Sequence, residues 1–106
     1  ANLGIHRYSS DFTVIRGATN VVCTLGLGIS SAANVSVFFN VRSAISSDSN
    51  EVTNGTDYYS SMNIAFSWNI LNSGDLRIYV HRPSKDIYAV NGTHINGYVD
   101  ILVVLT

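Results

Sequence analysis

The sequence predicts an all-β domain, a single antiparallel Greek-key β-barrel or sandwich of about seven strands. The 106 residues include 12 valines and 10 isoleucines, which favour strands, but only one glutamate, one lysine and no glutamine, so strong helix formers are few. Apolar and polar residues alternate with a period of two in several segments. Turn-forming residues, among them 11 asparagines and 14 serines, separate these segments, and no helical repeat lies between them.

Three strands are expected in the first part of the chain. Segments 12–16 and 20–29 read as the first two, and Gly26 and Gly28 in the second favour a bulge or a close backbone approach. Segment 35–42 alternates apolar and polar residues, which is typical of a half-buried strand.

A long polar stretch, 46–57, has no amphipathic period and is expected to be an exposed loop. Segment 62–82 then predicts a β-hairpin with its turn at 72–75, where Asn-Ser-Gly-Asp interrupts the alternation. Apolar residues share one face of the first hairpin strand: Ile64, Phe66, Trp68 and Ile70.

The chain is expected to end with two further strands, at 85–90 and 98–105. Asn91-Gly92 and Asn96-Gly97 predict a turn region between them.

Length and charge exclude several classes of protein. A chain of 106 residues is the size of one domain, 1–106. Only 12% of the residues are charged, against about 25% in ordinary soluble domains, and the net charge of -1 is too weak to attract a nucleic acid or an anionic membrane. The chain begins at Ala1 rather than methionine, so we expect a C-terminal fragment of a longer, stalked protein.

The last predicted strand has apolar residues on both faces. Val99, Ile101, Val103 and Leu105 share one face, while Leu102 and Val104 share the other. A small barrel or sandwich buries one face of a strand, so the second face is expected to contact something else. Either something outside the domain covers it, or a loop or short helix of the same chain does. Phe38, on the polar side of its strand, is a further interface candidate.

The sequence offers no positive sign of catalysis, and we expect neither catalytic residues nor a metal or cofactor. Cys23 lies in an apolar run, as a buried inert thiol would. His6, His81 and His94 are too far apart in sequence for a local zinc motif. Nucleophile-elbow and phosphate-loop motifs are absent from the sequence.

The polar face of the central hairpin is the candidate binding site. Ser67 and Asn69 lie on its first strand, and Arg77, Tyr79 and His81 on its second. An aromatic ring packs on the C–H face of a polyol, hydroxyl and amide groups exchange hydrogen bonds with it, and arginine binds phosphate or carboxylate. This set predicts a saccharide or glycerol-phosphate ligand. The alternative is that these residues form the ordinary wet side of an antiparallel sheet.

The hairpin also resembles a known family. Segment 66–80, Phe-Ser-Trp-Asn-Ile-Leu-Asn-Ser-Gly-Asp-Leu-Arg-Ile-Tyr-Val, is similar to a stretch of the head domain of lactococcal phage receptor-binding proteins. In that family an aromatic, alternating strand runs through a glycine-containing turn into an aromatic-rich strand. The closing apolar strand after Asn96-Gly97 is similar in kind.

The resemblance implies a homotrimeric, non-enzymatic head at the tip of a phage tail baseplate, joined to other baseplate proteins by an N-terminal stalk. Such a head adsorbs the virion to cell-wall saccharides of a Gram-positive host. The family's histidine, acidic residue and tryptophan fall on Ser67, Asn69 and Tyr79, all of which differ from the family pattern, although Asn and Tyr keep a polar acceptor and an aromatic platform. For the family's C-terminal arginine, the nearest polar candidate is His94.

Two other classes remain open. An unrelated carbohydrate-binding or adhesin module would share the hairpin site without forming a trimer. A purely structural virion domain would bind no ligand at all.

Overall fold

The computed structural model describes residues 3–15, 17–46, 52–53, 64–83 and 94–106. The described residues form an all-β fold in which two antiparallel sheets pack face to face as a sandwich, which confirms the predicted fold class. In chain order the strands are β1 (Gly4–Ile15), β2 (Thr19–Leu25), β3 (Val35–Ser46), β4 (Val52–Thr53), β5 (Ala65–Ile70), β6 (Leu76–His81) and β7 (His94–Leu105).

The first sheet has the strand order β1-β7-β3-β4, and the second has the order β2-β6-β5. The strand β7 therefore lies between β1 and β3, and pairs with both over most of its length. This central position places one side of β7 in the core and the other on the outer surface of the first sheet. Val99, Ile101 and Val103 are at most 2% exposed, as the alternation predicts.

Side chains from both sheets form the core between them. An aromatic cluster joins the sheets: Phe66 of β5 packs edge to face on Phe12 of β1, with ring centroids 5.3 Å apart, and stacks on Phe39 of β3 at 5.2 Å. The fully buried apolar residues that surround this cluster are Val14, Ala44, Leu76, Ile78, Val80, Ile95, Val99 and Val103.

The apolar face of β5 is only partly covered. Ile64, just before the strand, is 3% exposed and Phe66 is half-buried, but Trp68 and Ile70 are 36% and 40% exposed. Their partners across the ladder, Ile78 and Leu76, are fully buried. The strand β5 lies at the edge of the second sheet, whereas β6 lies between β2 and β5.

The predicted hairpin turn is present at 72–75. The amide of Leu71 donates to the carbonyl oxygen of Asp75 at 2.8 Å, and the amide of Gly74 donates to that of Leu71 at 2.9 Å. Gly74 has a φ of 89°, and a Cβ there would come within 2.8 Å of the backbone nitrogen of Ile29. Glycine therefore lets the hairpin turn pack closely against the segment after β2.

The prediction that Asn96-Gly97 forms a turn is wrong. The last strand begins at His94, not Tyr98, and Gly97 pairs with Phe12 of β1 on one side and with Ala44 of β3 on the other. A Cβ on Gly97 would overlap the carbonyl oxygen of Ser43. The glycine therefore permits close strand contact here, which sequence alone does not distinguish from a turn.

Other boundaries also differ from the prediction. Val52 and Thr53, within the predicted loop 46–57, form β4 because they pair with Ile45 and Ala44. The second strand ends at Leu25 rather than at residue 29, and its bulge lies between Val21 and Cys23 instead of at a glycine. The predicted strand 85–90 and the turn at Asn91-Gly92 lie outside the described residues.

Candidate functional site

Five of the predicted binding residues lie together on the outer face of the second sheet. Ser67 of β5 pairs with Tyr79 of β6, Asn69 pairs with Arg77, and His81 occupies the next row along the same face. The residues that alternate with them on β6 are fully buried, so this set must point outward. We call these five residues the hairpin face.

The strand β2 extends the hairpin face with two threonines that no local sequence pattern predicts. Thr19 Oγ1 shares a 2.7 Å hydrogen bond with His81 Nδ1, whose direction depends on the imidazole tautomer. Arg77 Nε donates to Thr24 Oγ1 at 3.3 Å. The pairing of β2 with β6 is long-range and contains a bulge, so no local pattern in the sequence could reveal these two threonines.

The chemistry of the hairpin face is polar and basic. The hydrogen bonds with Thr19 and Thr24 orient the imidazole of His81 and the guanidinium of Arg77. Tyr79 is half-buried between its neighbours and presents an aromatic side chain beside Arg77. The three paired rows of this face hold no carboxylate among the described residues of β2, β5 and β6. Such a surface can stack on a polyol and bind a phosphate with the guanidinium.

His94 does not lie with the hairpin face. It is the first residue of β7, in the other sheet, and is opposite Ile15 of β1. The structure therefore places it in the other sheet from the five hairpin residues, and its side chain belongs to the outer surface of the first sheet.

The predicted interface residues lie together on that outer surface. Phe38 of β3 is directly opposite Leu102 of β7, and Val104 follows on the same side, opposite Ile5 of β1. Phe38 and Ile5 are 56% and 57% exposed, and Leu102 and Val104 are half-buried. We call these four residues the outer apolar patch. A shallow depression of about 510 Å³ adjoins it, lined in part by Phe38 and Leu102.

A polar network lies beside the outer apolar patch. Ser9 Oγ donates a 2.7 Å hydrogen bond to Asp100 Oδ1, Asn40 Nδ2 donates to Oδ2 at 3.4 Å, and Arg42 Nε lies 3.6 Å from Oδ1. The bond from Ser9 lowers the pKa of the Asp100 carboxyl below its ordinary value of 3.8; partial desolvation opposes this, and Asn40 and Arg42 add to the lowering. Asp100 therefore carries its negative charge throughout the neutral pH range.

Cys23, the candidate inert thiol, is half-buried on β2. Burial raises the pKa of its thiol above the ordinary value of 9.0, which reduces the fraction present as the nucleophilic thiolate. Within the described ranges, no group of three or more His, Cys, Asp or Glu side chains is placed to hold a metal ion. The same part of the chain contains no helix long and apolar enough to cross a membrane.

Comparison with protein-family models, with curated proteins and with solved structures finds no match for this chain.

Proposed function

We propose that the protein is a non-enzymatic receptor-binding domain whose hairpin face binds a cell-wall saccharide or a glycerol-phosphate polymer. The observation that carries this proposal is the pairing of Ser67 with Tyr79 and of Asn69 with Arg77, which brings an aromatic ring, a hydroxyl, an amide and a guanidinium onto one exposed surface. These are the groups that a phosphorylated polyol needs: a ring for its C–H face, donors and acceptors for its hydroxyls, and a cation for its phosphate.

The resemblance of segment 66–80 gives the proposal its biological setting. We infer that the chain is the head of a phage tail baseplate protein, present at the tail tip of the virion, which adsorbs the phage to a Gram-positive host. The other baseplate proteins would hold it through a stalk on the N-terminal side.

The outer apolar patch supports the further part of the proposal, a homotrimer. Phe38 and Ile5 expose more than half of their surface next to Leu102 and Val104, and a contiguous apolar surface of this kind marks an interaction site. Assembly of three heads would cover the patch in each copy. It would also present three hairpin faces to one polymer, so that weak binding at each gives strong attachment.

The test is binding of Tyr79→Ala to purified host cell wall and to poly(glycerol phosphate). Loss of the ring removes a stacking contact of about 1 kcal/mol or more, so we expect binding at least about fivefold weaker, with an unchanged circular dichroism spectrum. Tyr79→Phe keeps the ring and should retain most of the affinity.

Trp68→Ala is the matched control, because Trp68 lies on the same hairpin but on its opposite face. If Tyr79→Ala binds as tightly as the unmodified protein, the hairpin face is not the site. If neither the polymer nor any cell-wall preparation binds the unmodified protein, a structural virion domain becomes the better interpretation.

A further inference from the structure

A second concave surface lies next to the hairpin face, since Val21 in its lining pairs with Tyr79, but none of the five hairpin residues lines it. It has a volume of about 790 Å³, within the range of small-molecule sites, and β1, β2, β3 and β7 all contribute to it. The residues relevant to ligand binding are Asp11, Thr13, Asn20, Ser43, Asn96 and Tyr98. We call this the Tyr98 cavity.

Strand pairing explains why polar groups converge beside an aromatic ring. Asp11 lies directly opposite Tyr98 across the β1–β7 ladder, and Thr13 lies opposite Asn96, one row further on the same face. Tyr98 lies on the outer side of β7 and is 52% exposed. From the β3 side, the Arg42 guanidinium lies 5.5 Å from the centre of the Tyr98 ring. The Tyr98 ring thus contacts the Arg42 guanidinium and still remains accessible to solvent.

Two further features of the lining give the cavity a defined shape. Asn20 Nδ2 donates a 2.7 Å hydrogen bond to the carbonyl oxygen of Thr13, which ties β2 to β1 at the cavity wall. Gly97, also part of the lining, lies on the core-facing side of β7, where a Cβ would come within 3.0 Å of the Phe12 ring. The site is therefore built on paired strands rather than on loops, which favours a fixed geometry.

The charge of the Tyr98 cavity differs from that of the hairpin face. Asp11 is the one charged side chain among the described residues that line it. The Arg42 guanidinium beside the Tyr98 ring lies 3.6 Å from Asp100 Oδ1, and that carboxylate balances its charge. A carboxylate repels a phosphate but accepts hydrogen bonds from adjacent hydroxyls of a sugar, while amide and hydroxyl side chains can both donate and accept. The ligand chemistry that fits is a neutral pyranose stacked on Tyr98.

We propose that the Tyr98 cavity is a second binding site, specific for neutral sugars, which acts independently of the hairpin face. The hairpin face would bind an anionic polyol phosphate through Arg77, and the cavity would bind an uncharged sugar through Tyr98 and Asp11. A cell-wall polymer of glycerol phosphate that carries sugar substituents offers both groups on one chain. The cavity proposal does not require that the hairpin face bind anything.

The test is an amide NMR titration of the full chain with glucose, galactose, N-acetylglucosamine and rhamnose at millimolar concentrations, with glycerol phosphate as the anionic comparison. At least one neutral sugar should shift the amide signals of Thr13, Asn96 and Gly97, and glycerol phosphate should leave them in place. Tyr98→Ala should weaken this binding at least about fivefold, as expected for loss of one stacking contact. Asp11→Ala should weaken it as well.

Asn69→Ala is the control that separates the two sites. Asn69 lies on β5, whereas β1, β2, β3 and β7 line the cavity, so this variant should leave sugar binding at the Tyr98 cavity unchanged. Failure of all four sugars to shift these amides would overturn the second site, and so would unchanged binding by folded Tyr98→Ala and Asp11→Ala. Glycerol phosphate shifting the cavity amides as strongly as a sugar would overturn the assignment to neutral ligands. Each of these results leaves the proposal for the hairpin face as it stands.

Discussion

Phe38 and Leu102 face each other directly across the β3–β7 ladder, on the side of the sheet that turns away from the core. The pair lies at the centre of the outer apolar patch, with Ile5 and Val104 in the adjacent row. Large apolar residues paired on an outer face have no role in burying the core of their own domain. The patch therefore combines side chains of β1, β3 and β7 and does not depend on one residue.

Self-association of the chain should depend on Phe38 and Leu102. Leu102→Asp places a charge in the middle of the proposed interface, and the cost of burying it should weaken self-association by about a hundredfold or more. Sedimentation or light scattering at micromolar concentration should show an oligomer for the unmodified protein and a monomer for the variant. Ile15→Asp is the matched control, since Ile15 is 44% exposed on the same sheet but at the other end of β1.

A monomeric unmodified protein would contradict the trimer. If Leu102→Asp unfolds the chain without changing its assembly, another part of the same chain covers the patch.

Gly97 should be intolerant of any side chain. Gly97→Ala would force β3 away from β7 at Ser43, and overpacking of this kind costs about 1–3 kcal/mol of unfolding free energy. Gly26→Ala is the comparison, because the nearest atom to its Cβ is Asp75 Oδ1 at 3.8 Å. Urea unfolding should show a clearly lower free energy of unfolding for Gly97→Ala and little change for Gly26→Ala. If both variants lose the same free energy of unfolding, the close contact of Gly97 with Ser43 is not the reason that glycine is required.

Asp100 should make stability depend on pH in the acid range. Its pKa is lower in the folded state than in the unfolded chain, so the charged form stabilises the fold above about pH 4, and this stabilisation is lost as the pH falls through the folded-state pKa. Because the side chains of Asp100 and Arg42 are 39% and 57% exposed, the effect should not exceed about 1 kcal/mol. Asp100→Asn should therefore be less stable than the unmodified protein at pH 7, and the difference should shrink towards pH 2. A constant difference across this range would contradict the assignment.

Binding at the hairpin face should be sensitive to salt. If Arg77 pairs with phosphate, raising the ionic strength should weaken binding to poly(glycerol phosphate), because exposed charges are screened. Arg77→Gln should bind more weakly at low salt and lose most of this dependence. Isothermal titration calorimetry of the unmodified protein and of Arg77→Gln at two salt concentrations measures this salt dependence of the affinity. The same salt dependence in both would show that Arg77 does not contact the phosphate.

Local patterns were sufficient for the features that depend on neighbouring residues. The alternation from Ile64 to Ile70 predicted which face of β5 is apolar, and the turn at 72–75 fixed the register that pairs Ser67 with Tyr79. The residues of the hairpin face could therefore be predicted from the sequence alone. Alternation in the last strand likewise separated Leu102 and Val104 from the core side.

Features that depend on distant strands could not be predicted in this way. Thr19 and Thr24 join the hairpin face only because β2 pairs with β6, and Asp11 meets Tyr98 only because β1 pairs with β7. The apolar residues Trp68 and Ile70 are exposed on β5, which is an edge strand, and strand order is not encoded in local alternation.

The register shift in β3 between Val41 and Ser43 leaves Arg42 as one residue more than the pairing with β7 requires. Val41 and Ala44 both stay buried, so without residue 42 the strand would alternate regularly and every core position on either side would be kept. The core pattern is thus the same with or without the extra residue. What it adds is a guanidinium that reaches both Asp100 and the ring of Tyr98, so a single inserted position links the polar network beside the outer apolar patch to the wall of the Tyr98 cavity.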